Sequence, residues 1–323
     1  MKKTIATMLS FVMLLGLLTG CGTENTSVET GKPDRGDSIA SQPQPQETEG
    51  GDDGLETVYV VNQRKRVDPS GYETVQNTME YDQRGNLIKQ GSDYNYTYEY
   101  DEQDRRIGWT RLRSDGSVHQ KNRYEYDENG NEILQVEDYS EYHFEYASTY
   151  NDQGQLVEVV CTRNGEPFDT DTYTYDDQGR LAEYHDGTMY WYRYVYEGNT
   201  VTELSLNKNG TEDGSKEIRT YDDQGNLIRE EFFEEGEAEY CKTYTYNDAG
   251  QLLESCKYDY DEGDRELDSK VVRIYDEQGR LTEKKHYDDD ELEYSFVYEY
   301  AAIRVSPERA RILRETNMDD FWE

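Results

Sequence analysis

Tyr246-Asn247-Asp248-Ala249-Gly250-Gln251-Leu252 is the stretch that decides the fold. Asparagine or aspartate after the tyrosine can hydrogen-bond the backbone two residues on, and the glycine accepts a left-handed conformation at no steric cost. Together they predict a three-residue hairpin loop, a type I turn closed by a glycine bulge. In that register Asn247 opposes Gln251, and Tyr246 opposes Leu252 as a cross-strand pair on one face. The same register sets Cys241 against Lys257 and Lys242 against Cys256, which places the two thiols on opposite faces and argues against a disulfide between them.

The phrase returns along the chain. It opens at Tyr81, Tyr150, Tyr175, Tyr221 and Tyr275 as well as Tyr246, with degraded copies at Tyr100, Tyr126 and Tyr196 and a last one at Tyr300. The steps between these tyrosines run from 19 to 29 residues, and a near-constant period of this size marks a repeat architecture. Gly85, Gly130, Gly154, Gly179, Gly225, Gly250 and Gly279 are the turn glycines. At Tyr100 the glycine is replaced by Asp104, a residue that tolerates the left-handed region. Arg106 and Glu132 stand where leucine belongs, which suggests loops one residue longer there. Gly198-Asn199 predicts a two-residue turn with Tyr196 opposite Val201.

Strands entering the turns alternate. Tyr94, Tyr96, Tyr98 and Tyr100 share a face, as do Tyr142, Phe144, Tyr146 and Tyr150, and Tyr190, Tyr192, Tyr194 and Tyr196. Period two with aromatics on one side reads as half-buried strand. A second set of turns, among them Asp68-Pro69-Ser70-Gly71, Asn164-Gly165 and Glu262-Gly263, falls about midway between the phrases. Each repeat is then two strands, and about twenty strands lie between Leu55 and Tyr300. The expectation is an all-β chain: a long antiparallel meander of stacked hairpins in a twisted, curled sheet, with its tyrosine row inside the curve and any unclosed stretch as the binding surface. Ser306-Pro307-Glu308 starts a short helix with Ala310, Ile312 and Leu313 as its apolar stripe. That helix is expected to cap the last exposed strand edge.

The ends differ in composition. Lys2 and Lys3 precede an apolar run from Met8 to Leu18, the pattern of a secretory signal over residues 1–20. Leu18-Thr19-Gly20-Cys21 resembles a bacterial lipobox, which implies cleavage before Cys21, lipidation of its thiol and a stable membrane anchor. Residues 21–54 lack aromatics and are expected to form a disordered linker; 55–300 form the repeat domain and 301–323 the helical cap and tail. The formal net charge of −37 becomes two units more acidic once Lys2 and Lys3 are removed. Such a chain repels phosphates, which argues against nucleic acid as a partner and against membrane contact other than by the lipid. With Cys21 used as the anchor, Cys161, Cys241 and Cys256 are an odd number and make no complete disulfide framework.

The tyrosine-aspartate phrases resemble the YD repeats of the RHS family over roughly residues 72–300. The resemblance implies a β-sheet wound into a hollow shell around a C-terminal toxin or tail. This chain has about ten copies where shells use many more, no recognisable self-cleaving core, and a tail of 23 residues. The implied object is a partial YD shell without toxin cargo.

No catalytic constellation is legible. His119, His143, His185 and His286 are scattered, without paired zinc spacing. Asp127, Asn129 and Asn131 carry part of a calcium-loop pattern, but Glu132 stands where glycine is required. No metal, cofactor or enzymatic activity is expected. The tyrosines are the one abundant binding chemistry, suited to sugar rings or protein partners. Tyr190, Trp191, Tyr192 and Tyr194 are the candidate contact residues, with Trp191 on the face opposite its neighbours. The chain therefore reads as a non-enzymatic surface lipoprotein, exported and lipid-anchored on the outer face of the bacterial membrane, binding a protein or a cell-envelope glycan. The alternative is a structural spacer or partial shell around another protein.

Overall fold

A computed structural model describes residues 54–91, 95–187, 190–261 and 263–315. The signal segment 1–20, Cys21, nearly all of the linker, Tyr94, Glu262 and residues 316–323 lie outside the described residues.

Alternation and turn chemistry produce twenty strands. The first seven are β1 (Glu56–Val67), β2 (Glu73–Tyr81), β3 (Leu87–Gly91), β4 (Asn95–Tyr100), β5 (Arg106–Leu112), β6 (Val118–Tyr126) and β7 (Glu132–Tyr139). There follow β8 (His143–Tyr150), β9 (Leu156–Arg163), β10 (Glu166–Tyr175), β11 (Leu181–His185), β12 (Trp191–Glu197), β13 (Thr200–Leu206) and β14 (Glu212–Tyr221). The last six are β15 (Leu227–Glu234), β16 (Glu237–Tyr246), β17 (Leu252–Asp261), β18 (Asp264–Tyr275), β19 (Leu281–Asp288) and β20 (Glu291–Val305). One helix, α1 (Pro307–Glu315), follows.

Each strand pairs antiparallel with its neighbour in the chain, and the sheet does not stay open. β1 pairs with β20 from Glu56↔Val305 through Val61↔Tyr300 to Val67↔Ser295. All twenty strands thus form one closed antiparallel barrel, which overturns the expected curled sheet of a partial shell. Closure pairs the first strand with the last, the usual solution to the edges of a long meander. It also removes the unclosed stretch on which a binding surface was expected. Most strand residues are half-buried, and the buried apolar clusters are small.

The turns follow the glycine-bulge geometry. The Asn247 N–H donates to the Gln251 carbonyl at 3.0 Å and the Gly250 N–H to the Asn247 carbonyl at 2.9 Å. The Asn247 Oδ1 accepts from the N–H groups of Ala249 and Gln251 at 3.0 and 2.9 Å. Tyr faces Leu in the six complete copies, and Tyr196 faces Val201. The degraded copies are not longer: Tyr100 faces Arg106 and Tyr126 faces Glu132 in the same register, with Asp104 at φ 62°.

One residue shifts the cysteine register. After Tyr246↔Leu252 the next pair is Thr245↔Glu254, so Leu253 is an extra, bulged residue. Cys241 therefore faces Tyr258, and Cys256 faces Thr243. The two thiols lie on the same face, diagonal to each other, not on opposite faces; neither is in a disulfide.

The expected helix forms and packs on the closing strands. The Ser306 Oγ caps it by accepting the Arg309 N–H at 3.2 Å. Its Ala310 and Leu313 pack on Val58, Val305 and Ile303 of the closing strands. Arg309 donates to the Asn86 Oδ1 at 2.8 Å and the Gly85 carbonyl at 3.3 Å, and Arg314 pairs with Glu56 at 2.7 Å. The helix thus fastens the β1–β20 seam to the turn between β2 and β3.

Two turn glycines separate backbone strain from packing. Gly225 has φ 87° and open space around an added Cβ; Gly85 has φ 80°, and a Cβ there would lie 2.9 Å from Leu313 and 3.2 Å from Val305. Gly225→Val should cost about 1–2 kcal/mol through left-handed strain alone. Gly85→Val should cost measurably more, because it also pushes on the helix. Chemical denaturation of both variants checks this, and equal midpoint shifts would refute the contact at Gly85.

Candidate aromatic binding surface

The repeat tyrosine carries a bond that spacing alone does not reveal. At Leu181 the ladder with the following strand has not begun; the first pair is Glu183↔Arg193. The Leu181 carbonyl, left out of that ladder, accepts the Tyr196 hydroxyl at 2.9 Å. Eight repeat tyrosines make this clasp to the carbonyl at the leucine place of the preceding repeat, at 2.7–2.9 Å, and Tyr81, in the first repeat, makes it to the Val61 carbonyl of β1 at 2.7 Å. Tyr221 is the exception. There the ladder runs on to Thr200↔Thr220, and Tyr221 uses its backbone N–H on Asn199 instead. The available signal was chemical: a half-buried phenol needs an acceptor.

The candidate residues fall into two settings. Tyr190 stacks on Tyr192 at 6.2 Å, Tyr192 on Tyr184 at 6.2 Å, and Tyr184 on Tyr173 at 5.0 Å. Four rings are thereby stacked across β10, β11 and β12, held by cross-strand pairing of Tyr173 with Tyr184 and of Tyr184 with Tyr192. Burial pushes the Tyr173 and Tyr192 phenols up to about 12 and Tyr184 higher still. Burial also pushes Asp171, beside the stack, up to about 6, helped by the nearby Asp169 and Asp186 carboxylates. Tyr194 continues the row; burial, and then Glu203, raise its phenol.

Trp191 lies on the other face, as alternation requires. It is half-buried, faces Leu206 across the strands, and sits 5.3 Å from the His185 ring. Its ring also lies 3.4 Å from the position a Cβ would take at Gly210.

Sequence reasoning missed a second aromatic group. Phe144 contacts Tyr139 at 6.2 Å, Tyr142 at 6.2 Å and Phe168 at 5.7 Å. Phe168 is the unpaired residue of a bulge, between Pro167↔Thr162 and Asp169↔Cys161. Alternation gives no hint of such a residue. His143 bridges Asp138 at 2.7 Å and Glu145 at 3.1 Å, and those two carboxylates raise its pKa.

A cavity of about 600 Å³ lies where α1 meets the seam, lined in part by Tyr59, Tyr275, Tyr300, Leu313 and Arg280. Arg280 lies over the Tyr59 and Tyr300 rings at 4.7 and 5.2 Å and pairs with Asp276 at 2.6 Å. Its charge is thus already used within the fold. Among the described residues no three His, Cys, Asp or Glu side chains group as metal ligands. No helix among them is long and apolar enough to cross a membrane.

Residues 150–188, which hold the turns at Gly154 and Gly179, match the family model described as RHS Repeat. That segment carries an RHS repeat. The chain is also similar to solved structures. One is TcdB2-TccC3 without its hypervariable C-terminal region, at TM-score 0.36 and 12% identity, covering 74% of this chain and 14% of that one. Another is the Photorhabdus luminescens Tc holotoxin pore, at TM-score 0.38 and 15% identity over 80% of this chain and 17% of that one. A third is a porin-like protein from Bacteroides uniformis, at TM-score 0.35 and 11% identity over 75% and 98%. The chain spans about a seventh of the length of the TcdB2-TccC3 chain. Overlap this loose carries no argument about what the chain binds. A search of curated proteins finds no match.

Proposed function

We propose that this RHS-repeat barrel is a non-enzymatic scaffold, exported and lipid-anchored through Cys21 on the outer face of the bacterial membrane, that binds a protein partner or a cell-envelope glycan. The observation that carries the reading is the tyrosine face of β8 to β12. There a four-ring stack and a partly exposed aromatic group lie on adjacent strands, among carboxylates. Such a surface offers stacking area and hydrogen-bond acceptors. Closure of the barrel favours a second reading, a structural shell or spacer that encloses something supplied by another chain.

Pull-down with the lipid-free chain, residues 22–323, against envelope fractions tests the first reading, with a glycan array beside it. Retention of a component that Tyr190→Ala/Tyr192→Ala weakens is the expected result. Absence of any retained component would hand the case to the spacer. Anchoring has its own test. The chain made in a bacterial host should partition into detergent and take up labelled fatty acid, and Cys21→Ser should abolish both. A labelled, membrane-bound Cys21→Ser product would refute lipidation there.

A further inference from the structure

The proposed binding surface has an uneven charge. Arg163 is the only lysine or arginine between Arg123 and Arg180, against fifteen aspartates and glutamates in that interval. The same interval exposes aromatic rings: Tyr142 and Phe168 are each 48% exposed and Tyr139 38%. They sit in or beside two neighbouring turns, β7–β8 and β9–β10, which are bonded to each other. Asn164 donates its N–H to the His143 carbonyl at 2.7 Å and accepts the His143 N–H on its side chain at 2.9 Å.

Arg163 shows what these rings accept. Its guanidinium lies 4.5 Å from the Phe168 centroid and 5.9 Å from that of Tyr142. Ring faces attract cations through their quadrupole, arginine above all. Each turn also carries an exposed acid, Glu141 beside Tyr142 and Glu166 two residues before Phe168. Neither of these acids forms an ion pair among the described residues. One internal arginine thus meets a site whose rings and acids suit more positive charge than the fold supplies.

We infer that this aromatic arc docks a basic protein segment, with an arginine or lysine of the partner over Tyr142 and Phe168 and its charge met by Glu141 and Glu166. The inference rests on the scaffold reading and chooses the protein partner over the glycan. The acidic surroundings steer such a partner in and repel anionic polymers.

The test uses the full chain in detergent and a fluorescein-labelled Arg-Ser repeat peptide at physiological ionic strength, read by anisotropy. Tyr142→Ala/Phe168→Ala leaves the charge unchanged and should weaken binding at least about fivefold. Tyr142→Phe/Phe168→Tyr should retain it. Asp152→Asn/Asp177→Asn, which removes two acids from the opposite rim of the same interval, should change it little. Thermal melts of the variants confirm folding. No binding, or binding that follows net charge and ignores the rings, would overturn the docking arc. So would a neutral glycan captured at these rings in place of the peptide. If envelope capture survives Tyr142→Ala/Phe168→Ala while the peptide also ignores the rings, the arc is wrong and the scaffold stands. If nothing from the envelope is captured, the scaffold fails, and the peptide comparison still decides the arc.

Discussion

Raising the pH above about 10 should unfold this protein cooperatively. Burial pushes the phenols of Tyr98, Tyr173 and Tyr192 up to about 12, from 10.0. Tyr81, Tyr146, Tyr184 and Tyr194 are raised further, burial again being the first cause. Between the ordinary and the raised values the folded chain keeps protons that the unfolded chain has lost. Stability is therefore fully present below pH 10 and falls as pH climbs through about 12. The clasps add to this, because a tyrosinate has no hydrogen to donate to the leucine-place carbonyl. Tyr175→Phe removes the 2.7 Å bond to Leu156 and leaves a carbonyl unsatisfied, a loss of about 1–2 kcal/mol. Tyr221→Phe should cost clearly less, since that tyrosine makes no clasp among the described residues. Circular dichroism across an alkaline titration, with urea denaturation of the two variants, checks both. Equal losses from the two variants would refute the clasp as a source of stability.

Removing the first half of β1 should do the most damage. Val58, Val60 and Val61 are 3%, 5% and 0% exposed, and burying each contributes about 2 kcal/mol. Together they account for much of the stability of an ordinary domain, about 5–15 kcal/mol. Deleting residues 54–61 also frees one edge of β20 over the stretch Tyr300–Val305 that they pair with, and an unpaired edge is a template for association. The deleted chain should lose its cooperative melt and sediment as oligomers. A monomer with an unchanged midpoint would show that the barrel does not depend on its seam.

The repeats were legible because their determinants are local. A turn needs four or five consecutive residues, and Asn247, Gly250 and their equivalents supply them; the tyrosine-leucine pair follows from the turn. The seam was not legible, because Val61 and Tyr300 carry no mutual mark in the sequence and meet only when twenty strands have curled far enough. Alternation failed wherever a bulge intervened. Leu253 moved the cysteine register by one residue, and Phe168 entered the aromatic arc from a place that alternation cannot assign. The stack through Tyr190 and Tyr192 was half legible. Their shared face is periodic, whereas Tyr184 joins it through the register of β11 with β12 and Tyr173 through that of β10 with β11.

The pairing of the first strand with the last has a kinetic meaning. Every other strand finds its partners next to it in the chain, so hairpins can form one after another at little entropic cost. Glu56–Val61 cannot: β2 pairs β1 only from Gln63 onward, and the partner of Glu56 is Val305. During synthesis or export from the N-terminus, this short valine-rich stretch must wait for nearly the whole domain to emerge. Closing a loop that long adds only modestly to the cost of closing a short one, so the delay is set by chain delivery and not by search. The exposed valines are a liability for that interval, and a holding chaperone or slow secretion would act there first.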